Sequence, residues 1–249
     1  MVVGQLQDFE HLVAGQTLAA LEHLLACQCQ YVHRCLRHPD VLLRSANLNS
    51  VQGSVPGVQL HKPDVVDAAT TLLDNYGIAD LSMRRLAKEL NVSPGALYWH
   101  FANKQQLLGA VADRILGNVD EVSADWRDRI AAICAQLRDA LLSHTDGAEL
   151  VSASFAAGQS EVMAQILAWL TDAATAAGVD SGHAAVAART VLYYVLGFTA
   201  DEQSRLQWDA AGVDLPDEQS VLGADPSRRF GFGVQLLIDG IAARRTSPV

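Results

Sequence analysis

The sequence predicts an all-α protein, with a three-helix N-terminal head carrying a helix-turn-helix and an α-helical core behind it. Apolar residues recur every three or four positions along most of the chain, and no long run alternates apolar and polar residues as a half-buried strand does. Half of the 249 residues are hydrophobic and only 18% are charged, a balance that suits helices with a large buried interface. Two short helix patterns separated by a turn between residues 81 and 104 give the third indication.

The first helix of the head is predicted at residues 63–76. Asp64 and Asp67 lie in its first turn, where carboxylates interact favourably with the helix dipole, and Gly77 follows its last residue. Its buried face is an i, i+3, i+4, i+7 stripe of Val65, Ala68, Ala69, Leu72, Leu73 and Tyr76.

Two short helices joined by a tight turn are predicted in the segment LSMRRLAKELNVSPGALYWHFANK, residues 81–104. Ser82 and Ser93 stand where helix starts are capped, because a serine hydroxyl accepts a hydrogen bond from an unpaired amide. Pro94 suits the first turn of the second helix, where a missing amide costs nothing. Asn91 tolerates the left-handed backbone found at helix ends. The segment therefore has the local signals of a helix, a turn and a second helix.

The second of these helices is expected to present aromatic side chains to a partner. Leu97 and Phe101 face inward at i and i+4, which leaves Tyr98, Trp99 and His100 toward the outside. Two helices of this length joined by a turn of three or four residues match a DNA-binding helix-turn-helix, whose second helix enters the major groove.

The charge of the head is divided by position. The formal net charge of the whole chain is -10, which argues against sequence-blind coating of nucleic acid by the entire protein. Local potential matters more for phosphate contact than the sum. The acidic side chains Asp64, Asp67, Asp74 and Asp80 lie on or beside the first helix. The basic side chains Arg84, Arg85, Lys88 and Lys104 lie on the helix-turn-helix.

On these residues the chain resembles the tetracycline repressor (TetR) family. The chain is similar to that family's DNA-binding domain almost position by position. The similar parts are the aliphatic first helix, the YGI that follows it, the segment LSMRRLAKELNVSPGALYWHF, and the NK and LL after that segment. Residues 140–148, ALLSHTDGA, resemble the start of the family's ligand-binding core. Leu196, Gly197 and the segment FGFGVQLLIDGI resemble its two dimer-forming helices. The resemblance spans about residues 62–245.

The resemblance implies a sequence-specific transcriptional regulator, a homodimeric repressor released from a palindromic double-stranded DNA operator by a small apolar effector. Arg84 corresponds to a base-reading position, and arginine paired with guanine is the commonest specific contact. Pro94 and Ala96 correspond to positions that set the sequence preference of tetracycline-binding members, and neither side chain donates a hydrogen bond, so a different operator is expected. The DNA-binding residues implied are Ser82, Arg84, Arg85, Ser93, Pro94, Ala96, Tyr98, Trp99, His100 and Lys104, with Tyr98, His100 and Lys104 on phosphates.

The effector pocket is expected to be mostly apolar, with one or two polar anchors. Val151 stands where the tetracycline-binding members hold magnesium through a histidine, and Asp201 stands about where a glutamate assists; two drug-binding polar positions fall on Asp120 and Ile133. Without the imidazole the metal loses its direct protein ligand. We therefore expect no metal, no cofactor and no tetracycline. The pocket candidates are Trp126, Ile133, Leu137, Val151, Phe155, Trp169, Tyr194, Phe198 and Asp201.

Three parts are expected along the chain: a poorly ordered extension at residues 1–60, the DNA-binding domain at 61–107, and a ligand-binding and dimerisation domain at 108–249. Core helices are predicted at residues 103–121, 126–143 and 161–177, from Ser181 onward, and from Asp225-Pro226 onward. Gly147 is expected to break the chain before a short segment at residues 150–155, and residues 208–225 to form a loop. Arg127, Arg129 and Arg138 are expected on a polar face. No apolar run is long enough to span a membrane and no signal peptide is evident, so the protein is expected to be cytoplasmic.

Two other hypotheses remain at this point. The first is a redox- or metal-responsive DNA-binding regulator that uses N-terminal side chains, although the spacing C-x-C-x5-C matches no common zinc pattern and an extension without function is the simpler explanation. Those side chains are Cys27, Cys29, Cys35, His23, His33 and His38. The second is an interaction protein that retains the fold without binding DNA. An enzyme is not expected, because Ser143, His144, Asp146 and Ser152 lack a nucleophile elbow.

Overall fold

The computed structural model describes residues 60–213 and 225–244, so the predicted N-terminal cysteine segment lies outside the described residues. In these two stretches every regular element is a helix, which confirms the predicted fold class. The helices are α1 (Lys62–Tyr76), α2 (Met83–Glu89), α3 (Pro94–Tyr98), α4 (Lys104–Ile115), α5 (Trp126–Leu142), α6 (Gly147–Ala156), α7 (Glu161–Ala176), α8 (Ser181–Ala210) and α9 (Pro226–Ala243).

The head consists of α1, α2 and α3, with the caps that the sequence predicts. The Ser82 hydroxyl accepts a hydrogen bond from the amide of Arg85 at 3.2 Å, and the Ser93 hydroxyl accepts one from the amide of Ala96 at 3.3 Å. Asn91 lies between the two helices with a positive φ of 54°. Each cap satisfies an amide that the helix start leaves unpaired, so the turn and the start of α3 are fixed locally.

The helix α4 runs without interruption from the head into the core. Asn103 caps it by accepting a hydrogen bond from the amide of Gln106 at 2.9 Å. The predicted helix at residues 103–121 is too long, because α4 ends at Ile115. The chain turns there so that Leu116 and Val119 become buried. The predicted division between residues 107 and 108 falls inside this continuous helix.

Two further boundaries differ from the prediction. Gly147 does not break the chain but begins α6, and Asp146 makes the turn with a left-handed φ of 54°. Glycine is required at 147 because a Cβ would overlap the carbonyl oxygen of Leu141. Trp208 lies in α8 rather than in a loop, since that helix continues to Ala210.

The helix α5 forms the centre of the core and packs against α6, α7, α8 and α9. Its predicted apolar face is confirmed, with Ile130, Ile133, Leu137 and Leu141 each at most 1% exposed. The contact between α7 and α8 is the most extensive between any two of these helices. The core therefore places α8 and α9 on one side and α4, which carries the head, against α1, α6 and α7.

Arg138, which is expected from the sequence on the polar face of α5, is largely buried against other helices instead of facing solvent. The Arg138 side chain is 12% exposed and forms a bidentate ion pair with Glu202, with Nε to Oε2 at 2.8 Å and Nη2 to Oε1 at 2.6 Å. Its guanidinium also lies 5.1 Å from the centre of the Phe230 ring and donates to the Ser227 hydroxyl. The helices α8 and α9 cover this position. The apolar periodicity of α5 could not predict the burial of Arg138, because that periodicity contains no information about other helices.

We predict that Arg138→Met lowers the free energy of unfolding by about 3–5 kcal/mol, because Glu202 is left as an unpaired buried charge. Urea denaturation at one fixed protein concentration measures this loss. The double variant Arg138→Met with Glu202→Leu is expected to be more stable than Arg138→Met alone. A single variant within about 1 kcal/mol of the unmodified protein contradicts the assignment of a buried pair.

Candidate functional site

Two aromatic side chains at the C-terminal end of α3, Tyr98 and Trp99, are exposed beside a buried apolar face. Leu97 and Phe101 are 0% and 1% exposed, whereas Tyr98 is 53% exposed and Trp99 is 90% exposed. A tryptophan with nine-tenths of its surface in solvent loses the stabilisation that burial would provide. The short helix is therefore held by its inner face and presents a flat aromatic surface outward.

The other residues of the predicted DNA-binding set differ in what their side chains do. Arg84 and Pro94 are exposed, while Ala96, His100 and Lys104 are half-buried. Arg85 pairs with Asp80, and its guanidinium lies 4.0 Å from the centre of the Tyr76 ring, so it braces α2 against α1. The Ser82 and Ser93 hydroxyls accept the cap hydrogen bonds described above.

A hydrogen-bonded joint connects α1 with the turn before α6. Asp74 lies at the end of α1; its Oδ1 is 3.0 Å from Nδ1 of His144 and accepts from the amide of Thr145 at 3.3 Å. The Thr145 hydroxyl donates to the carbonyl oxygen of Asp74 at 2.9 Å. The amide of Ile78, just after α1, donates to Oδ2 of Asp146 at 2.8 Å. We call residues 143–146 the joint turn.

The joint turn is also held by α8. Gln203 is 8% exposed, and its amide group donates to the carbonyl oxygens of Leu141 and His144 at 2.9 and 2.7 Å. The carbonyl oxygen of the same side chain accepts from the amide of Ala148 at 3.0 Å. Gln207 donates to Asp146. Sequence reasoning missed Gln203, because a glutamine in a long helix has no pattern that indicates which backbone atoms it will pair with.

The predicted pocket residues fall into three groups. Trp126, Ile133, Leu137 and Val151 are buried, at 8%, 0%, 1% and 0% exposure. Phe155 and Trp169 are half-buried. Tyr194 and Phe198 stand together, with ring centres 5.7 Å apart, and both contact the ring of Phe230.

The aromatic cluster of Tyr194, Phe198 and Phe230 joins α8 to α9. The Tyr194 hydroxyl donates to the carbonyl oxygen of Phe230 at 2.9 Å, and Gly233 lies so close to the same ring that a Cβ there would overlap it. Partial burial, together with Cys134 nearby, raises the pKa of Tyr194, while Arg138 acts in the opposite direction. The cluster thus uses two predicted pocket residues to fix the angle between α8 and α9.

Asp201 is exposed and the next residue, Glu202, points into the core. Successive residues in a helix differ by about 100° around the axis. An error of one position in matching α8 to the family pattern therefore exchanges the exposed Asp201 for the buried Glu202. The prediction of Asp201 as a pocket candidate is therefore not supported by its exposed position in this chain. Glu202, the acid that does enter the core, is already paired with Arg138.

Two side-chain hydroxyl groups in the apolar core, those of Ser154 and Thr199, have no hydrogen-bond partner among the described residues. Ser154 on α6 is 2% exposed and Thr199 on α8 is 0% exposed. Within residues 60–213 and 225–244, their hydroxyl oxygens are among the few buried side-chain atoms that lack a hydrogen bond. Buried polar atoms of this kind usually have a partner, whether protein, water or ligand.

The described part of the chain contains one cysteine and no cluster of potential metal ligands. No group of three or more His, Cys, Asp or Glu side chains that could hold a metal ion occurs there. No helix among these residues is long and apolar enough to cross a membrane. The one cysteine described, Cys134, is buried, and desolvation raises its pKa to about 12. The cysteines of the redox hypothesis lie outside the described residues.

We predict that Cys134 does not react with N-ethylmaleimide in the native protein at pH 8. With a pKa of about 12, roughly one thiol in ten thousand is ionised at that pH, and burial excludes the reagent. Peptide mass spectrometry after timed labelling measures the reaction, with free cysteine in the same buffer as the control. Labelling must appear after unfolding in guanidinium; labelling of native protein at the rate of free cysteine contradicts the burial.

Comparison with known proteins agrees with this geometry. The model for bacterial regulatory proteins of the tetR family matches residues 65–111, and the model for the tetracycline repressor-like C-terminal domain matches residues 120–245. The tetracycline repressor protein class A from transposon 1721 of Escherichia coli is 32% identical over 205 residues, which cover 75% of this chain and 93% of that protein.

Solved structures agree with the same assignment. The structure of Mycobacterium smegmatis BioQ is 64% identical, with a TM-score of 0.69 and coverage of 75% of this chain and 99% of that one. A structure of BioQ with its natural double-stranded DNA operator is 60% identical, with a TM-score of 0.63 and coverage of 74% and 99%. With both parts of the fold matched and the helix-turn-helix formed at the expected residues, this chain belongs to the tetR family of bacterial regulatory proteins, which are DNA-binding transcriptional regulators.

Proposed function

We propose that this protein is a homodimeric repressor that binds a palindromic DNA operator and is released by a small, mostly apolar effector. Residues 61–107 bind DNA, and residues 108–249 bind the effector and form the dimer. The observation that carries the proposal is the exposed Tyr98 and Trp99 surface of α3, on a helix-turn-helix whose basic side chains include the exposed Arg84. The similar BioQ structure with bound operator DNA supports it.

The side chains of the helix-turn-helix have different roles in the proposed DNA binding. Arg84 is free to extend into the major groove and pair with a guanine, whereas Tyr98, His100 and Lys104 approach phosphates. Pro94 and Ala96 offer only apolar contact, which suits thymine methyl groups. Arg85 is engaged with Asp80, so its contribution is to hold α2 in place. Ser82 and Ser93 act as helix caps, and Trp99 supplies apolar contact at the edge of the DNA.

The exposed apolar side chains support the dimer. Among the described residues, the large apolar side chains that are exposed lie on or next to α3, α8 and α9. Those of α8 and α9 are 56–66% exposed, and they are Val186, Tyr193, Leu206, Phe232 and Leu236. Apolar patches of this kind mark association surfaces, and two copies related by a two-fold axis bury them in a four-helix contact.

The effector site lies in the core around α5, α6 and α8. Ile133, Leu137 and Val151 provide apolar surface, and the unpaired hydroxyls of Ser154 and Thr199 supply the polar anchors that Asp201 does not. Effector binding that changes the packing of α6 alters the joint turn and α4, and with them the position of the head. Effector and operator affinities are then reciprocally linked.

We predict that Arg84→Ala weakens binding to the preferred duplex about tenfold to a hundredfold, because one bidentate base contact contributes about 1–3 kcal/mol. The duplex is selected from a random pool with the unmodified protein, and affinities are measured by fluorescence anisotropy at several salt concentrations. Arg127→Ala, an exposed arginine on α5, is the matched control and is expected to bind normally.

The same assay distinguishes the alternatives. A loss for Arg84→Ala on the selected duplex with no comparable loss on a scrambled duplex supports base reading. If no duplex is selected at any salt concentration, the proposed function is wrong and the hypothesis of an interaction protein that retains the fold gains support.

We predict that Leu236→Glu converts the dimer to a monomer at micromolar concentration, because a carboxylate in the apolar contact between α8 and α9 of two copies cannot be solvated. Sedimentation velocity measures the mass, and Gln165→Glu, an exposed position on α7, is the control of equal charge change. A Leu236→Glu protein that still sediments as a dimer contradicts this interface.

A further inference from the structure

The helix α4 is attached to the core at a place that does not involve the joint turn. At this place the carboxylate of Asp113 lies at the start of α7. Its Oδ1 accepts from the Ser160 hydroxyl at 2.6 Å and from the amide of Val162 at 3.1 Å, and its Oδ2 accepts from the amide of Glu161 at 3.4 Å. Two of these donors are unpaired amides of the first turn of α7, where a carboxylate interacts favourably with the helix dipole.

One turn earlier on the same face, α4 touches the backbone of the core. Gly109 is buried, and a Cβ there would overlap the carbonyl oxygen of Gln159. Gly109 and Asp113 are four residues apart and so lie one above the other on α4. Both contact the turn between α6 and α7. We call Gly109, Asp113 and residues 159–162 the α4 clamp.

Two contacts on one face fix a helix in both rotation and tilt. We propose that the α4 clamp sets the angle of α4 against the core and thereby the half-site spacing that the dimer accepts, with Asp113 as its positioning residue. This inference rests on the proposed function, since it concerns the operator of a dimer. It assigns a role in DNA selectivity to a residue that lies nine positions beyond Lys104 and outside the proposed DNA-binding set.

Helix geometry gives the size of the effect. At 1.5 Å per residue, Asp113 lies about 13.5 Å along the axis from Lys104, where α4 leaves the head. A tilt of about 10° at the clamp moves that end by roughly 2.3 Å, and two protomers moving apart add to roughly 4.7 Å. That displacement exceeds the rise of about 3.4 Å per base pair, so a loosened clamp changes which spacing fits.

The decisive experiment compares operators of different spacing with the full-length protein. The probes are the duplex selected by the unmodified protein and two derivatives with one base pair inserted or deleted at its centre. We expect the unmodified protein to bind the derivatives at least about tenfold more weakly. We expect Asp113→Ala to reduce this discrimination ratio at least about threefold.

Matched variants separate positioning from general damage. Asp113→Asn retains the oxygen that accepts from Ser160 and Val162, so its ratio is expected to stay within about twofold of the unmodified protein. Asp172→Ala, an exposed acid on α7, is expected to change nothing. Ser160→Ala removes the 2.6 Å hydrogen bond from the other side and is expected to reduce the ratio, so the test remains if Asp113→Ala fails to fold.

Each outcome decides the inference. A ratio that falls for Asp113→Ala and Ser160→Ala and is kept by Asp113→Asn supports the clamp. If Asp113→Ala lowers the melting temperature and weakens all three duplexes equally, the residue is merely structural and the inference is wrong while the proposed function stands. If the unmodified protein binds all three duplexes equally well, the inference is wrong; if it selects no duplex at all, the proposed function fails as well.

Discussion

The structure depends on the requirement that polar groups buried between the head and the core find hydrogen-bond partners. Gln203 pairs with three backbone groups in and beside the joint turn, namely the carbonyl oxygens of Leu141 and His144 and the amide of Ala148. Leaving one buried polar group unpaired costs about 1–3 kcal/mol, so an arrangement that breaks one of these hydrogen bonds is less stable than the one observed. The head is therefore attached to α8 through a defined set of contacts rather than by a flexible linker.

The head is held by two attachments, in each of which aspartate carboxylates accept hydrogen bonds from backbone amides. The joint turn holds the end of α1 through Asp74 and Asp146, and the α4 clamp holds the connecting helix through Asp113. The first reaches α8, which we propose forms the dimer, and the second reaches the turn between α6 and α7. A change of packing in the proposed effector region can thus act on the head through both. A ligand-responsive regulator needs such coupling, because an effector shifts a conformational equilibrium only to the extent that its affinities for the two states differ.

The parts that could be predicted from sequence are local. Ser82, Ser93 and Asn91 act within four residues of themselves, and their roles in the helix-turn-helix were predictable from residue type. The partners of Arg138 and Gln203 lie about sixty residues away, and no pattern in α5 or α8 identifies them. Asp201 illustrates the sharper difficulty: the register of a long helix must be known to one residue before a surface acid can be told from a buried one.

The central claim is that the core fixes the separation of two recognition helices in the dimer. Double electron–electron resonance between spin labels on Trp99→Cys of the two protomers tests it directly, in a protein whose Cys27, Cys29 and Cys35 are replaced by serine. One narrow distance distribution, compatible with half-sites about one turn of DNA apart (roughly 34–36 Å), is the result that this account predicts. A broad distribution without a dominant distance, or no dipolar coupling at all, would contradict it.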